Sequence, residues 1–524
     1  MAPRVSLLRG AALASAALLC VSQAPLPPTP QMAADAAAII AAAAAANFNA
    51  WNRLAYVTDT FGPRFSGSDA LNDTISWIAE TAAADPGLVV TMEPVLVPRW
   101  VRGDEWATLD SPRGKKLHFC GLGYSNSTPF GAPLTADVLV VSNYTELQAK
   151  AAQAVGKIVL FDWTTWEGYG NTVTYRVNAA TWAASVGAAA ALIKSIAPYG
   201  IQTCHTGGSQ TAAVPAGAVS REDALQMRRM QERGQRVVVT MQMPAALLEP
   251  RVAWNLLIDY TSPGASFPDE YSIVSGHMDS WDIAEGGMDD GGGFFSAWEA
   301  VRLIASLGLH SNRTIRAIGW VDEEGGGIGA DQYGRDYNAT FAKTSFAMES
   351  DTGAFALWGL SYVGGPAGLA QLQALSPLLA PLNASNVAVG GSDTDEAVLC
   401  AAGVPCAALW PYDPRVSAAA NNPCAPYSTA LVPPSTASFS VSDGYMWCAV
   451  GVWVLFPAYP HARPHRPLHF FLPVFSVPRR ARRYHHTEGD TVDKMDPLQV
   501  QTVAAANAVW ALSIANLPTL LPRN

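Results

Sequence analysis

From Val252 to the C-terminus the chain alternates β-like runs with loops and helical stretches, and this alternation constrains the fold more than any other feature. "YSIVSGHMD", "TIRAIGWVDEE" and "TSFAMESD" read as strands, whereas "GGFFSAWEAVRLIASLG" and "DPLQVQTVAAANAVWALSIANL" read as helices. Strands interleaved with helices predict an α/β fold, a mixed and largely parallel sheet sandwiched by helices. Ligands of open α/β sheets sit beyond the carboxyl ends of the strands. At that edge the first run delivers His277 and Asp279, the second Glu323 and Glu324, and the third Asp351.

The chain has 524 residues, more than one hydrophobic core usually organises. Hydrophobic residues make up 49% and charged residues 15%, which supports a sizeable core and excludes wholesale disorder. Between about 100 and 250 the texture changes to short runs such as "DVLVVS", "KIVLFDW" and "RVVVTMQM", read as an inserted β-rich second domain. The main domain is expected at 251–524. Residues 25–99 form an N-terminal segment in which a propeptide could precede the first part of that domain. This segment holds an alanine-rich helix and, after the turn in "FGPRFSGS", a second helix.

Residues 1–24 read as an export signal, with Arg4 and Arg9 before the apolar run Ala11 to Val21 and small residues at Ser22 and Ala24. That run falls short of the roughly 20 residues a membrane helix needs, so the expectation is a secreted protein without stable membrane insertion. Sequons at Asn72, Asn126, Asn143, Asn312, Asn338 and Asn383 fit the same route. Cys120, Cys204, Cys400, Cys406, Cys424 and Cys448 are too sparse for a disulfide scaffold, and their pairing cannot be read from spacing. A formal net charge of −10 argues against a nucleic-acid partner.

The stretch "SGHMDSWDIAEGGMDDGGG", residues 275–293, concentrates acids where glycine lets the backbone come close and exclude water. Alone it is as readily a solvated acidic loop or a set of Asp/Gly turns. Together with Glu324, Asp351 and a late histidine in "YHHTEGDT", however, His277 and Asp289 would place mutually repelling carboxylates at one edge, which cations must neutralise. One bridging carboxylate with an acid and a histidine on each side suits two zinc ions about 3.5–4 Å apart. In the adjacent pair Glu323 and Glu324, one acid can ligate while the other faces bound water as general base.

These motifs, with "VTDTFGPRFSGS", "DEEGGGIGA" and "MESDTG", resemble those of the co-catalytic di-zinc exopeptidase family, which includes bacterial aminopeptidases and glutamate carboxypeptidases. The resemblance spans nearly the whole mature chain. It implies His277 and Asp351 as ligands of one Zn2+, Glu324 and His486 as ligands of a second, and Asp289 as the bridge. It also implies Glu323 as general base and Asp279 as the acid orienting His277. His486 is preferred to His485 because it precedes Asp490 by the family's H-x-x-x-D spacing. The implied fold is the zinc exopeptidase fold with an inserted protease-associated domain, the implied assembly a homodimer, and the implied substrate a dipeptide or short peptide with a free C-terminus, cleaved as by a carboxypeptidase or dipeptidase, with aminopeptidase action on the same site as the alternative. A receptor that had lost its metal ligands, and a glutaminyl-cyclase-type enzyme with one zinc, are the alternatives on this fold. The retained ligand set and Glu323 argue against both.

Other polar residues have plainer readings. Asp282 is structural and Asp290 shapes the loop, Asp393 and Asp395 are read as caps of the following helix in preference to substrate contacts, and Cys400 and Cys406 are buried or disulfide-bonded. "HARPHRPLH" is broken by Pro464 and Pro467 and is rejected as a metal site. Val416 to Pro478 is anomalous, a long Trp/Phe/Pro-rich stretch without period before His486, and much of it reads as a retained intron or gene-model error rather than a genuine insertion.

Overall fold

The structure, a computed structural model, describes residues 24–166, 168–197, 200, 202–209, 214–411 and 484–523. The signal segment up to residue 23, Cys424 and Cys448, "HARPHRPLH" and the anomalous 416–478 stretch lie outside the described residues. Strands among the described residues assemble into two eight-stranded sheets.

The first sheet runs, in spatial order, Val89–Val101, Ala246–Tyr260, Arg313–Trp320, Phe267–His277, Thr344–Glu349, Cys406–Pro411, Leu357–Val363 and Asn386–Val389. The four strands from Arg313–Trp320 to Cys406–Pro411 are mutually parallel, and antiparallel pairs flank them. This is the mixed, largely parallel α/β architecture expected. Arg313–Trp320 and Thr344–Glu349 are buried throughout, as strands covered on both faces must be.

One face is covered by Gly292–Ser306, Pro497–Ala515, Asn49–Phe61 and Pro30–Ala45, whose apolar residues join a single core with Trp298 and Trp510 fully enclosed. Truncating either tryptophan to alanine should cost about 3–5 kcal/mol. Pro497–Ala515 is long and apolar enough to cross a membrane, and it is buried in this core. Ile328–Tyr337 covers the opposite face through Ala330 and Tyr333.

The chain leaves this sheet along Val89–Val101 and returns along Ala246–Tyr260, the two strands pairing antiparallel. All eight strands of the second sheet lie between them, from Trp106–Ser111 to Val238–Gln242. Helices Tyr169–Ser185 and Arg221–Glu232 contribute to separate cores of this unit, so it is itself an α/β layer structure rather than strands alone. Disulfides join Cys120 to Cys204 and Cys400 to Cys406. Asn72 is buried, its amide donating to the Val252 carbonyl at 3.2 Å.

Candidate metal centre

His277 ends its strand opposite Trp320 in register, and Glu323, Glu324 and Asp351 follow just beyond the ends of the two neighbouring parallel strands. Parallel alignment therefore places them at one edge. The glycine-rich loop presses onto it because glycine permits the approach: a Cβ on Gly276 would stand 2.5 Å from both the Asp290 carboxylate and the Phe294 nitrogen. A Cβ on Gly293 would meet the Ser350 carbonyl at 1.8 Å. Buried Arg64 clamps the loop, donating to the carbonyls of Met278 at 2.9 Å and Gly286 at 3.0 Å.

Asp289 lies at the centre. Nε2 of His277 is 3.2 Å from Asp289 Oδ1 and 3.3 Å from Asp351 Oδ1. On the other side Nε2 of His486 is 3.2 Å from Asp289 Oδ2 and 3.1 Å from Glu324 Oε2. All five residues singled out as ligands are thus brought together. Their donor atoms fall into groups within 4.8 Å, His277 with Asp290 and Asp351, and Asp289 with Glu324 and His486. Asp290 meets the distance requirement, but its oxygens accept the main-chain N–H groups of His277 and Gly293. That leaves Asp289 as the carboxylate facing both groups.

The electrostatics call for cations. Burial pushes Glu324 up to about 8 and Asp351 well above the carboxylate range, with neighbouring Asp289 adding to both. Burial disfavours charge on His277, but Asp289 and Asp351 outweigh it and hold the imidazole well above its ordinary value. Asp289 Oδ2 is buried without a hydrogen-bond partner, since the histidines near it approach out of line. Imidazoles and carboxylates around an orphaned carboxylate oxygen fit zinc.

Glu323 and Glu324 diverge as adjacent residues must. The Glu324 side chain is 4% exposed, whereas that of Glu323 is 15% exposed, with its Oε2 3.9 Å from His277 Nε2. Asp279 acts on both. Its carboxylate accepts the main-chain N–H groups of Glu323 and Glu324, each at 3.2 Å. Its main-chain carbonyl, not its carboxylate, takes Nδ1 of His277 at 2.9 Å, the nearer carboxylate oxygen lying 3.8 Å away.

Several residues here escaped sequence reasoning. Asp393 was expected to cap a helix; instead it accepts the Asp351 N–H at 3.0 Å, and both oxygens of Asp395 lack hydrogen-bond partners. The helix they precede, Ala397–Ala401, begins at Glu396 with no side-chain cap. Asp282 forms a bidentate pair with Arg102 at 2.7 and 2.8 Å, joining the loop to the second unit. From that unit Nη1 of Arg176 reaches within 3.1 Å of His486 Nδ1. His205 joins His485 and His486 in a third donor group. No motif marked Arg176 or His205 in advance.

Residues 255–511 match the model of peptidase family M28. Carboxypeptidase Q of Mus musculus is 35% identical over 478 residues, covering 90% of this chain and 87% of that protein. Carboxypeptidase Q of Homo sapiens matches with the same identity and coverage. A solved peptidase M28 precursor from Shewanella amazonensis SB2B superposes with a TM-score of 0.76 at 25% identity, over 94% of this chain and 99% of that one. A zinc aminopeptidase from Bacillus subtilis shares the fold, with a TM-score of 0.57 at 17% identity over 88% of this chain and 93% of its own.

Proposed function

Since the chain belongs to peptidase family M28 and is a zinc-dependent metallo-exopeptidase, we propose that it hydrolyses dipeptides or short peptides as a carboxypeptidase or dipeptidase. The observation that carries the site assignment is the central position of Asp289, between His277 with Asp351 and Glu324 with His486. We assign His277 and Asp351 to one zinc ion, Glu324 and His486 to a second, and Asp289 to both.

Zinc held there supplies an electrophile for the peptide carbonyl and makes water acidic enough to attack near neutral pH. Glu323, the more exposed of the two glutamates, takes the proton from the attacking water and returns it to the leaving amine. Asp279 fixes the turn that holds Glu323 and Glu324 apart. Asp393 holds the main chain of Asp351.

The carboxypeptidase direction is supported by the 35% identity to carboxypeptidase Q across 90% of the chain. A dipeptide panel with either terminus blocked tests it. Blocking the C-terminus should abolish cleavage; cleavage that survives C-terminal amidation and fails on N-acetylation would make the enzyme an aminopeptidase. We also propose export, supported by the basic and apolar pattern of residues 1–24, and a homodimer, supported by the family resemblance. N-terminal sequencing of the natural protein and light scattering test these two.

A further inference from the structure

Arg176 lies on helix Tyr169–Ser185 of the second unit and is buried beside the metal centre, at 9% exposure. Nη1 makes every hydrogen bond that its guanidinium has with described residues. It donates to the Tyr169 hydroxyl at 2.9 Å and to the Thr206 carbonyl at 3.3 Å, and stands 3.1 Å from Nδ1 of His486. Nε is buried without a hydrogen-bond partner, and no described carboxylate forms an ion pair with the cation.

A buried charge is costly unless it is paired. Three other arginines of this chain show the usual solution. Arg102, Arg302 and Arg316 each present Nε and Nη2 side by side to one carboxylate, those of Asp282, Glu299 and Asp259. In Arg176 the same edge, Nε with Nη2, has no acceptor among the described residues. Gly207, at φ +129°, makes room for the guanidinium: a Cβ there would fall 2.1 Å from Nη1 and 2.6 Å from Nε. The main chain thus gives way to a cation that no described side chain neutralises.

Position decides what can use that edge. Nη1 meets Nδ1 of His486, and Nε2 of the same ring lies 3.2 Å from Asp289 and 3.1 Å from Glu324. One imidazole therefore separates the guanidinium from the proposed zinc ligands. A carboxylate one residue beyond the scissile carbonyl is within reach, since a residue spans about 3.3–3.6 Å. Two parallel N–H groups fit such a carboxylate in both shape and charge.

We propose that Nε and Nη2 of Arg176 donate to the free C-terminal carboxylate of the substrate, so that the second unit sets the carboxypeptidase direction. The inference rests on the carboxypeptidase reading above and names the group that enforces it. A purely structural role, holding His486 and Tyr169 through Nη1, would instead affect all ligands of the site alike.

The test uses two phosphinic dipeptide analogues, alike except that one ends in a carboxylate and the other in a carboxamide. Inhibition constants and zinc content are measured on zinc-loaded full-length wild type, Arg176→Met and Arg176→Lys, beside hydrolysis of a free dipeptide. Wild type should bind the carboxylate analogue about 10–100-fold more tightly, as expected of hydrogen bonds between charged groups. Arg176→Met should shrink this preference to about 3-fold or less, with the carboxamide constant and zinc content unchanged. Arg176→Lys keeps the charge without the fork and should give an intermediate preference. The preference is a ratio within one variant, so general damage to the site cancels. If Arg176→Met loses zinc, Arg176→Lys decides by the same ratio. An undiminished preference, or a carboxamide analogue weakened as much as its partner, would overturn the proposal and leave the exopeptidase reading standing. A third analogue, carboxamide-ended with a side-chain carboxylate, identifies the source of the anion. If the loss in Arg176→Met were confined to that analogue, Arg176 would read an acidic side chain and the proposal would fail. A wild type that cleaves dipeptides yet prefers the carboxamide analogue would overturn the carboxypeptidase direction as well.

Discussion

The carboxylate of Asp490 accepts the main-chain N–H of Asp289 at 3.0 Å and that of Met288 at 2.7 Å. Asp490 and Asp289 are 201 residues apart, so this contact ties the segment carrying His486 to the loop carrying the proposed bridge. Groups that orient ligands typically matter about 10–100-fold in metal affinity. Asp490→Ala should therefore weaken zinc binding by roughly that factor, read by competition with a chelator of known affinity. Unchanged affinity would mean that Asp289 is held well enough without it.

Glu323 and Asp289 should fail differently. Glu323→Gln keeps shape and removes the base, so zinc content should persist while turnover drops about 10²–10⁴-fold. Asp289→Ala should lose metal, because both donor groups face this carboxylate. Metal analysis beside kinetics separates the two. If Glu324→Gln, rather than Glu323→Gln, kept its metal and lost turnover, the order of the two glutamates would be reversed.

His277, Glu323, Glu324 and Asp351 were legible because parallel strands carry whatever follows them to one edge, and strand pattern is readable locally. His486 was reachable only through its spacing to Asp490, since no strand delivers it. Arg64, Asp393 and His205 were not legible: each acts on a main chain or ring far away in sequence, and long-range pairing leaves no period. Asp393 misled because an aspartate before a helix looks like a cap, whereas burial made the Asp351 N–H its partner. The helices flanking the second sheet were visible as alanine-rich pieces, but nothing local showed that they would form layers on it.

A carboxylate 3.2 Å from a histidine on each side, His277 at Oδ1 and His486 at Oδ2 of Asp289, implies two ions. Chelation should abolish dipeptide hydrolysis, and elemental analysis of the active protein should find about two zinc ions per chain, as a bridged site demands. Full activity with one tightly bound zinc would remove the co-catalytic reading and favour a single-zinc enzyme on this fold.

Glu396 offers a test away from the proposed ligands. It is fully buried against Glu349, accepts the Asp393 N–H at 2.8 Å, and is pushed by burial from 4.5 up to about 8. A raised carboxylic pKa means the folded chain holds a proton that the unfolded chain has released. The stability this confers is complete below about 4.5 and is lost as pH rises through about 8. The loss amounts to at most about 1.4 kcal/mol per pH unit, shared with Glu349. Gln at this position keeps the acceptor for Asp393 and has no proton to lose. Glu396→Gln should therefore match wild type near pH 5 and melt higher at pH 8.5, by roughly 5 °C if a few kcal/mol are at stake. Thermal midpoints measured across that range decide it. Parallel curves would show that Glu396 is already ionised in the folded protein at neutral pH, balanced by a group other than the proton.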